Sequence, residues 1–229
     1  MRKLNISKYK RTLFFTAHPD DLEGFAGGLV KRLSKRADVV SIIFSEGNRG
    51  RWKFKYIFMN KRHFEKLRLR ESMKAKKVLG ITEVKDLGFE DRKIPINKFV
   101  EKQIYEVVKS IKPDLIVSFE YSKFLNFYLH PDHMAVAKNI KSVIFNNKFS
   151  SKFDYLVFNT VLPNYYIDVS DVERTKRRAL KFHKTQKRLN RELFFVLDLL
   201  PTRIMGFLYG KKYVETYRSV KINTWNKWL

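Results

Sequence analysis

The chain contains no cysteine, so every kind of site that needs a thiol is excluded. Disulfide scaffolds, thiolate zinc sites, iron–sulfur clusters and cysteine nucleophiles all belong to that group. Long hydrophobic runs are missing too. The longest apolar stretch, residues 193–209, is interrupted by Asp198, Pro201 and Arg203 and is too broken to span a bilayer. Residues 1–8 lack the apolar core of a signal peptide, and we therefore expect a cytoplasmic protein.

Acidic residues are scarce relative to basic ones. The chain has 23 Asp and Glu against 48 Lys and Arg, which gives a formal net charge of +25. The basic excess is concentrated in residues 49–77 and 171–229. Such a charge attracts polyanions, including nucleic acid, anionic lipid headgroups and phosphorylated substrates, although a solvated basic surface explains it equally well. Charge therefore indicates a class of partner and says nothing about fold.

Short apolar runs alternate along the chain with stretches of helical periodicity. The predicted strands cover residues 12–16, 39–44, 84–89, 114–119, 155–160 and 165–169. The predicted helices cover residues 21–36, 61–79, 96–111, 133–145 and 171–184, the last with Ser170 as N-cap. This alternation is typical of βαβ units that build a mostly parallel sheet. We expect one α/β domain over residues 1–229, with a Rossmann-like sheet and helices on both faces. Its core would cover about residues 11–190, followed by an apolar and basic extension over 191–229.

Two short clusters contain three of the five histidines, at residues 17–21 (Ala-His-Pro-Asp-Asp) and 130–133 (His-Pro-Asp-His). The first follows a predicted strand directly, and the second follows another strand by about ten residues, so both fall at the sheet edge where ligands bind. Imidazole and carboxylate ligands suit a catalytic zinc or a similar divalent ion. One His-Pro-Asp alone is more often a turn, but both clusters after strands predict a metal-dependent hydrolase.

These clusters, together with His183-Lys184-Thr185-Gln186, resemble the PIG-L/LmbE-like family of zinc-dependent de-N-acetylases. The helix with Arg68-Leu69-Arg70-Glu71, Ala75 and Leu79-Gly80 resembles the family's R-x-x-E helix, and residues 213–218 resemble its C-terminal segment. The resemblance covers about residues 11–220. It implies hydrolysis of an N-acetyl group on an N-acetylglucosamine-type substrate, which would be a sugar-containing small molecule, a glycan or a glycolipid.

The resemblance also implies a role for individual residues. The implied zinc ligands are His18, Asp21 and His133, and another divalent metal would fit the same set. The implied catalytic residues are Asp20 as general base, His130 as acid or oxyanion stabiliser, and Tyr128 near the substrate carbonyl. Asp132 would orient a histidine from behind the ligands. The implied substrate contacts are Arg68, Asn48 and His183. Asn48 stands where relatives often carry an acidic residue.

Several alternatives remain open from the sequence. An amidase or deacetylase acting on a non-sugar amide would use the same active-site residues. A basic nucleic-acid-binding protein fits the charge, but Phe and Tyr fall mostly inside apolar runs, which favours a core role over base stacking. Residues 193–209 fit either a core element closing the site or an interfacial element in contact with an anionic membrane. His183 and Tyr128 fit packing roles as well as functional ones.

Overall fold

The computed structural model describes residues 1–47, 54–121, 130–147, 149, 152–185 and 200–221. Within them the strands are β1 (Arg2–Lys3), β2 (Arg11–Thr16), β3 (Asp38–Ser45), β4 (Glu83–Phe89), β5 (Leu115–Phe119), β6 (Asp154–Phe158), β7 (Tyr165–Asp168) and β8 (Val214–Ser219). The helices are α1 (Asp21–Leu33), α2 (Phe54–Ile57), α3 (Lys61–Leu79), α4 (Lys98–Ile111), α5 (Pro131–Asn146) and α6 (Glu173–Leu180). Residues 200–208 are also helical. None of the helices in these ranges is long and apolar enough to cross a membrane.

The eight strands form one sheet in the order β1-β7-β8-β6-β5-β2-β3-β4. β2 to β6 pair in parallel, whereas β8 runs antiparallel to both β6 and β7. The chain proceeds from β2 to β3 and β4 on one side, then returns to β5 on the other side of β2. The strand order therefore reverses between β2 and β5, and a crevice opens at the carboxyl ends of those two strands.

The helices form two groups that flank the sheet. α1, α3 and α6 pack against one another, and α4 packs against α5. Right-handed crossovers require this separation, because the connections beyond β2 and those beyond β5 advance in opposite directions along the sheet. The central strands are buried on both faces, as β3 illustrates, in which every residue from Val39 to Ser45 is buried. The predicted α/β domain with a mostly parallel sheet and flanking helices is confirmed.

The largest differences from the predicted elements are near the C-terminus. Ser170 was expected to cap a helix from residue 171, but α6 begins at Glu173 and follows Val172. The Ser170 hydroxyl instead donates to Asp168 Oδ1 at 2.6 Å, which holds it in a turn. α6 also ends early, at Leu180. β8, which belongs to the predicted extension, lies inside the sheet between β6 and β7.

Glu215 connects β8 to the interior of α1. Its carboxylate accepts the backbone N–H groups of Gly28 and Leu29, each at 2.8 Å, and the ammonium of Lys176 at 2.9 Å. A side chain at Gly28 would not fit, because its Cβ would lie 2.5 Å from Val169 Cγ1. Glycine therefore allows α1 to approach the sheet closely enough for a buried carboxylate to bind helix amides.

Replacing Glu215 with glutamine tests this connection. The Glu215→Gln variant removes the carboxylate charge that pairs with the buried Lys176 ammonium, and we expect the free energy of unfolding to fall by about 3–5 kcal/mol. Chemical denaturation measures the change. The matched control is Glu101→Gln, which changes the contacts of Glu101 with the exposed Lys98 and with Ser142 and should cost less than about 1 kcal/mol. Equal losses in the two variants would contradict the assigned role of Glu215.

Candidate metal centre

The loop after β2 is closed by the carboxylate of Asp21, the first residue of α1. Asp21 Oδ2 accepts the backbone N–H groups of Ala17 at 3.1 Å and His18 at 2.7 Å. Its other oxygen, Oδ1, lies 3.3 Å from His133 Nε2. His133 is on the first turn of α5, the helix that precedes β6. One buried carboxylate thus fixes its own loop and faces a side chain from the second cluster.

Both ring nitrogens of His18 face carboxylates. Nδ1 is 3.5 Å from Asp21 Oδ2, and Nε2 is 3.0 Å from Asp132 Oδ2. Histidines that bind metals usually present one nitrogen to the ion and have the other held by a carboxylate. The orientation of His18 fits that arrangement, with Nδ1 on the side of Asp21 and His133 and with Asp132 behind the ring.

Two overlapping groups of side chains could hold a metal ion. The first is His18, Asp21 and His133, and the second is His18, Asp91, His130 and Asp132. In each group one donor atom per residue lies within 4.8 Å of all the others. The first group supplies two imidazoles and one carboxylate, a donor set that fits zinc and leaves a position for water. The predicted ligands His18, Asp21 and His133 are therefore brought together.

Burial and neighbouring charges shift the protonation equilibria of this cluster in opposite directions. Burial alone would raise the pKa of Asp21, but the charges and hydrogen bonds of His133 and His18 hold it well below its usual range. Burial would lower the pKa of His18, but Asp21, Asp132 and Asp91 raise it well above its usual value. The cluster concentrates negative charge around imidazole rings, as a cation site requires.

Asp132 and His130 are linked at the start of α5. The backbone N–H of Asp132 donates to His130 Nδ1 at 3.3 Å, which makes His130 the N-cap of the helix. Asp132 Oδ2 also accepts the backbone N–H of Arg92 at 2.7 Å. Burial, followed by the charges of His18 and His133, lowers the pKa of His130. The bond to Nδ1 assigns the proton of the neutral ring to Nε2.

Asp91 is a site residue that the sequence reasoning missed. It is buried in the turn after β4, and its Oδ1 lies 3.6 Å from His18 Nε2. Arg92, which follows it, has a positive φ of 64° and directs its N–H at Asp132. The available signal was positional, since Glu90 and Asp91 directly follow a predicted strand. This turn therefore belongs to the same sheet edge as the two clusters.

Asp20 and Arg68 form the side of the site next to α3. Arg68 Nη2 donates to Asp20 Oδ1 at 3.1 Å, and Nη1 donates to the carbonyl of Gly47 near the start of the loop after β3. The Arg68 side chain is buried, whereas that of Asp20 is 26% exposed. The guanidinium thus holds one carboxylate oxygen of Asp20 and leaves the residue accessible from the crevice.

Glu46, which precedes Gly47, is a second acidic residue that was not predicted. Burial, the hydrogen bond between Glu46 and Glu65 on α3, and the negative charge of Glu65 raise the pKa of Glu46 to about 7. A carboxyl pair can share one proton when like charges lie close together. Glu46 therefore places an acidic side chain in the loop where Asn48 departs from the family's pattern.

Lys76 supports the first cluster from the interior of the protein. Its ammonium donates to the carbonyl of Pro19 at 2.8 Å and to Ser72 Oγ at 2.6 Å, and it lies 3.4 Å from Glu23 Oε1. The Pro19 carbonyl belongs to the peptide bond that joins Pro19 to Asp20. A fully buried cation thus fixes the backbone immediately before Asp20.

Of the remaining predicted residues, the structure describes His183 but neither Tyr128 nor Asn48. His183 is buried, and its Nε2 lies 3.6 Å from Glu23 Oε2, so it contacts the network around Lys76. Thr185, two residues later, donates its hydroxyl to Glu71 Oε2 at 2.6 Å. Tyr128 and Asn48 lie outside the described residues. The predicted apolar stretch is described only from residue 200 onward.

Comparisons with known proteins match the chain to a deacetylase family and to curated deacetylases. A family model described as PIG-L, GlcNAc-PI de-N-acetylase, matches residues 13–144, which include both clusters. The chain is 27% identical over 192 residues to a diacetylchitobiose deacetylase of Thermococcus kodakarensis, covering 77% of this chain and 70% of that relative. It is 25% identical over 188 residues to a probable N-acetyl-alpha-D-glucosaminyl L-malate deacetylase 2 of Bacillus subtilis, covering 77% and 83%.

A solved structure extends the likeness to the whole fold. The N,N'-diacetylchitobiose deacetylase from Pyrococcus horikoshii superposes with a TM-score of 0.85, covering 97% of this chain and 90% of that chain. The sequence identity is 20%, so this match concerns the fold alone. The family resemblance predicted from the two clusters is confirmed by the family model.

Removing the carboxylate behind His18 tests the arrangement of the metal site. Asp132→Asn replaces the negative carboxylate beside His18 Nε2 with a neutral amide, which orients the ring less strongly. We therefore expect the affinity for zinc to fall roughly 10- to 100-fold. Competition with a chromophoric chelator measures the dissociation constant. Asp154→Asn, which changes a carboxylate paired with Lys8 at the sheet's amino end, serves as control and should leave affinity unchanged. Unaltered affinity in Asp132→Asn would show that Asp132 does not support a ligand.

Proposed function

The chain belongs to the PIG-L family of GlcNAc-PI de-N-acetylases, and from that premise we propose that it hydrolyses the N-acetyl group of an N-acetylglucosamine-type substrate. The observation that carries the proposal is the convergence of both His/Asp clusters at the crevice between β2 and β5. The family match over residues 13–144 spans that crevice. The products would be acetate and a free amine on the sugar.

We propose zinc as the metal, held by His18, Asp21 and His133. Two imidazoles and one carboxylate are a common ligand set for catalytic zinc, and the chain has no thiolate to offer. When bound, such an ion supplies Lewis-acid chemistry, which polarises the acetyl carbonyl and lowers the pKa of a water. Asp132, and Asp91 beside it, would keep the His18 ring in its binding orientation.

Asp20 is the proposed general base. It follows His18 by two residues and precedes the ligand Asp21, so a water near the ligands would be within its reach. Arg68 donates to Asp20 Oδ1, and the Asp20 side chain is 26% exposed, so its carboxylate can accept a proton from the attacking water. As the carbon–nitrogen bond breaks, Asp20 would pass that proton to the departing amine, and acetate would be released.

His130 is proposed to stabilise the oxyanion of the tetrahedral intermediate. The N-cap bond occupies Nδ1, so the neutral ring carries its proton on Nε2 and can donate a hydrogen bond from there. Its side chain is 30% exposed, which leaves it accessible to substrate. Of the two roles that the family resemblance implies for His130, this favours oxyanion stabilisation over general-acid catalysis.

The substrate contacts are less defined than the metal ligands. We propose that Arg68 and the loop with Gly47 and Asn48 contact sugar hydroxyls, and that Tyr128 lies near the carbonyl, as the family resemblance implies. For His183, its burial against Glu23 supports a positioning role over direct contact. Glu46, with its raised pKa, is a further candidate for a sugar contact.

The acceptor to which the sugar is attached differs among relatives. One is named for diacetylchitobiose and another for an N-acetylglucosaminyl malate. We propose an N-acetylglucosamine conjugate as the substrate, with a glycan, a glycolipid or a small-molecule aglycone. We further propose a cytoplasmic location with peripheral membrane contact, and a single functional domain over residues 1–229. A non-sugar amide is the alternative substrate.

Substituting the proposed base tests the mechanism. Asp20→Asn keeps the side chain's size and removes its ability to accept a proton, so we expect kcat to fall about 10²- to 10⁴-fold while bound metal stays constant. Acetate release from a panel of N-acetylglucosamine conjugates gives the rate, and elemental analysis gives the metal content. Asp171→Asn, on the exposed surface, is the control. Full turnover in Asp20→Asn would refute the assignment.

Lys76 provides a test of how Asp20 is positioned. Lys76→Met removes the ammonium that fixes the Pro19 carbonyl, and a small displacement of the base should lower kcat by roughly 10²-fold, with KM and metal content preserved. Lys77→Met, at the neighbouring exposed position, should retain the wild-type kcat. A Lys76→Met enzyme that is less stable yet turns over at the wild-type rate would limit Lys76 to a structural role.

A further inference from the structure

The 200–208 helix presents its apolar side to solvent. Leu200, Ile204, Phe207 and Leu208 are 56%, 51%, 85% and 64% exposed. They occupy positions i, i+4, i+7 and i+8, which form one continuous stripe on a helix. The residues that this helix buries are the small Thr202 and Gly206. The usual arrangement of a surface helix is therefore reversed, and a continuous exposed apolar stripe marks an interaction site.

Several contacts fix this orientation. A Cβ at Gly206 would lie 2.7 Å from the carbonyl oxygen of Lys212, so the helix backbone itself packs against the turn before β8. The centroids of the Tyr209 ring and the Tyr166 ring on β7 are 4.3 Å apart. The Tyr209 hydroxyl accepts a hydrogen bond of 2.9 Å from the terminal amino group of Met1. Rotating the helix to bury Phe207 would break these contacts.

The apolar stripe is bordered by basic residues. Arg203 is exposed on the same helix, and Lys211 and Lys212 are exposed in the turn that follows it. The contact between Met1 and Tyr209 brings the N-terminal strand beside this turn, where Arg2 and Lys3 are exposed. Within residues 200–221 the one acidic side chain is Glu215, which is buried. The border is therefore strongly positive.

We propose that the 200–208 helix, with its basic border, docks this protein on an anionic lipid surface. Phe207 and Leu208, the most exposed of the four, would enter the boundary between headgroups and acyl chains, and Arg203, Lys211 and Lys212 would meet lipid phosphates. The proposal does not depend on the deacetylase activity. The sequence of residues 193–209 fitted either a core element or a membrane-contacting element. For the described part of that stretch, the proposal selects the membrane.

Charge and shape favour lipid over other occupants. A second copy related by a two-fold axis would bring the same basic residues face to face, which repel one another. A nucleic acid would match the charge, but Phe207 is the one aromatic ring among the four stripe residues, and Leu200, Ile204 and Leu208 offer no flat ring for successive bases to stack on. Aliphatic side chains surrounded by lysine and arginine match the layered chemistry of an anionic bilayer surface.

Vesicle co-sedimentation with the full chain, in the absence of any sugar substrate, tests the proposal. We expect the protein to pellet with phosphatidylcholine vesicles that contain phosphatidylglycerol and to stay in the supernatant with pure phosphatidylcholine. The double substitution Phe207→Ser with Leu208→Ser should lower the partition coefficient by about tenfold or more. Lys211→Glu with Lys212→Glu should lower it and weaken its dependence on salt.

A matched control separates this stripe from apolar exposure in general. Ile96→Ser with Phe99→Ser removes two exposed apolar side chains at the start of α4 and should leave binding within about twofold of wild type. Three results would overturn the proposal. In the first, the wild-type protein remains in the supernatant with every vesicle. In the second, the control variant and the Phe207/Leu208 variant lose vesicle binding equally. In the third, the Phe207/Leu208 variant binds vesicles like the wild type but loses self-association or DNA binding. Because no substrate is present, none of these results bears on the deacetylase proposal.

Discussion

The candidate site depends on the two oxygens of the Asp21 carboxylate. One oxygen binds the backbone amides of Ala17 and His18 and fixes the loop after β2, and the other faces His133 from α5. Without that carboxylate the two clusters would be separate turns on separate elements. Burial makes the interaction strong, because a charged oxygen in the interior must be satisfied by donors or cations. The same carboxylate therefore fixes both the shape of the loop after β2 and the relative position of the candidate ligands His18 and His133.

The topology of the sheet explains why these clusters meet. β2 and β5 are neighbours in the sheet although a hundred residues of chain lie between them, and the strand order reverses at that junction. The turn after β4 reaches the same edge and contributes Asp91 and the Arg92 amide. Buried polar groups then support the edge from behind, through Lys76 at Pro19 and Glu215 at α1. The residues at the crevice are thus connected to a network of buried polar side chains.

Local patterns predicted the central elements well and the long-range contacts poorly. The apolar runs of β2, β3 and β5 and the helical period of α3 are signals within a few residues, and the predicted boundaries differ little from the observed ones. The strand at Val214–Ser219 was interpreted only as a family motif, because Glu215 and Arg218 interrupt its apolar pattern, and its place between β6 and β7 is set by tertiary pairing. Asp91 and Lys76 were missed because only the folded chain brings them to His18 and Pro19. The reversed 200–208 helix likewise follows from packing at Gly206.

The central claim is that a metal ion binds among His18, Asp21 and His133, in preference to the overlapping group that contains Asp91 and His130. Anomalous X-ray diffraction from zinc-loaded crystals at the zinc edge tests it most directly. The account predicts one strong peak about 2.0–2.2 Å from a nitrogen of each imidazole and an oxygen of Asp21. A peak coordinated by Asp91, His130 and Asp132, or fully loaded protein with no peak at this edge of the sheet, would contradict it.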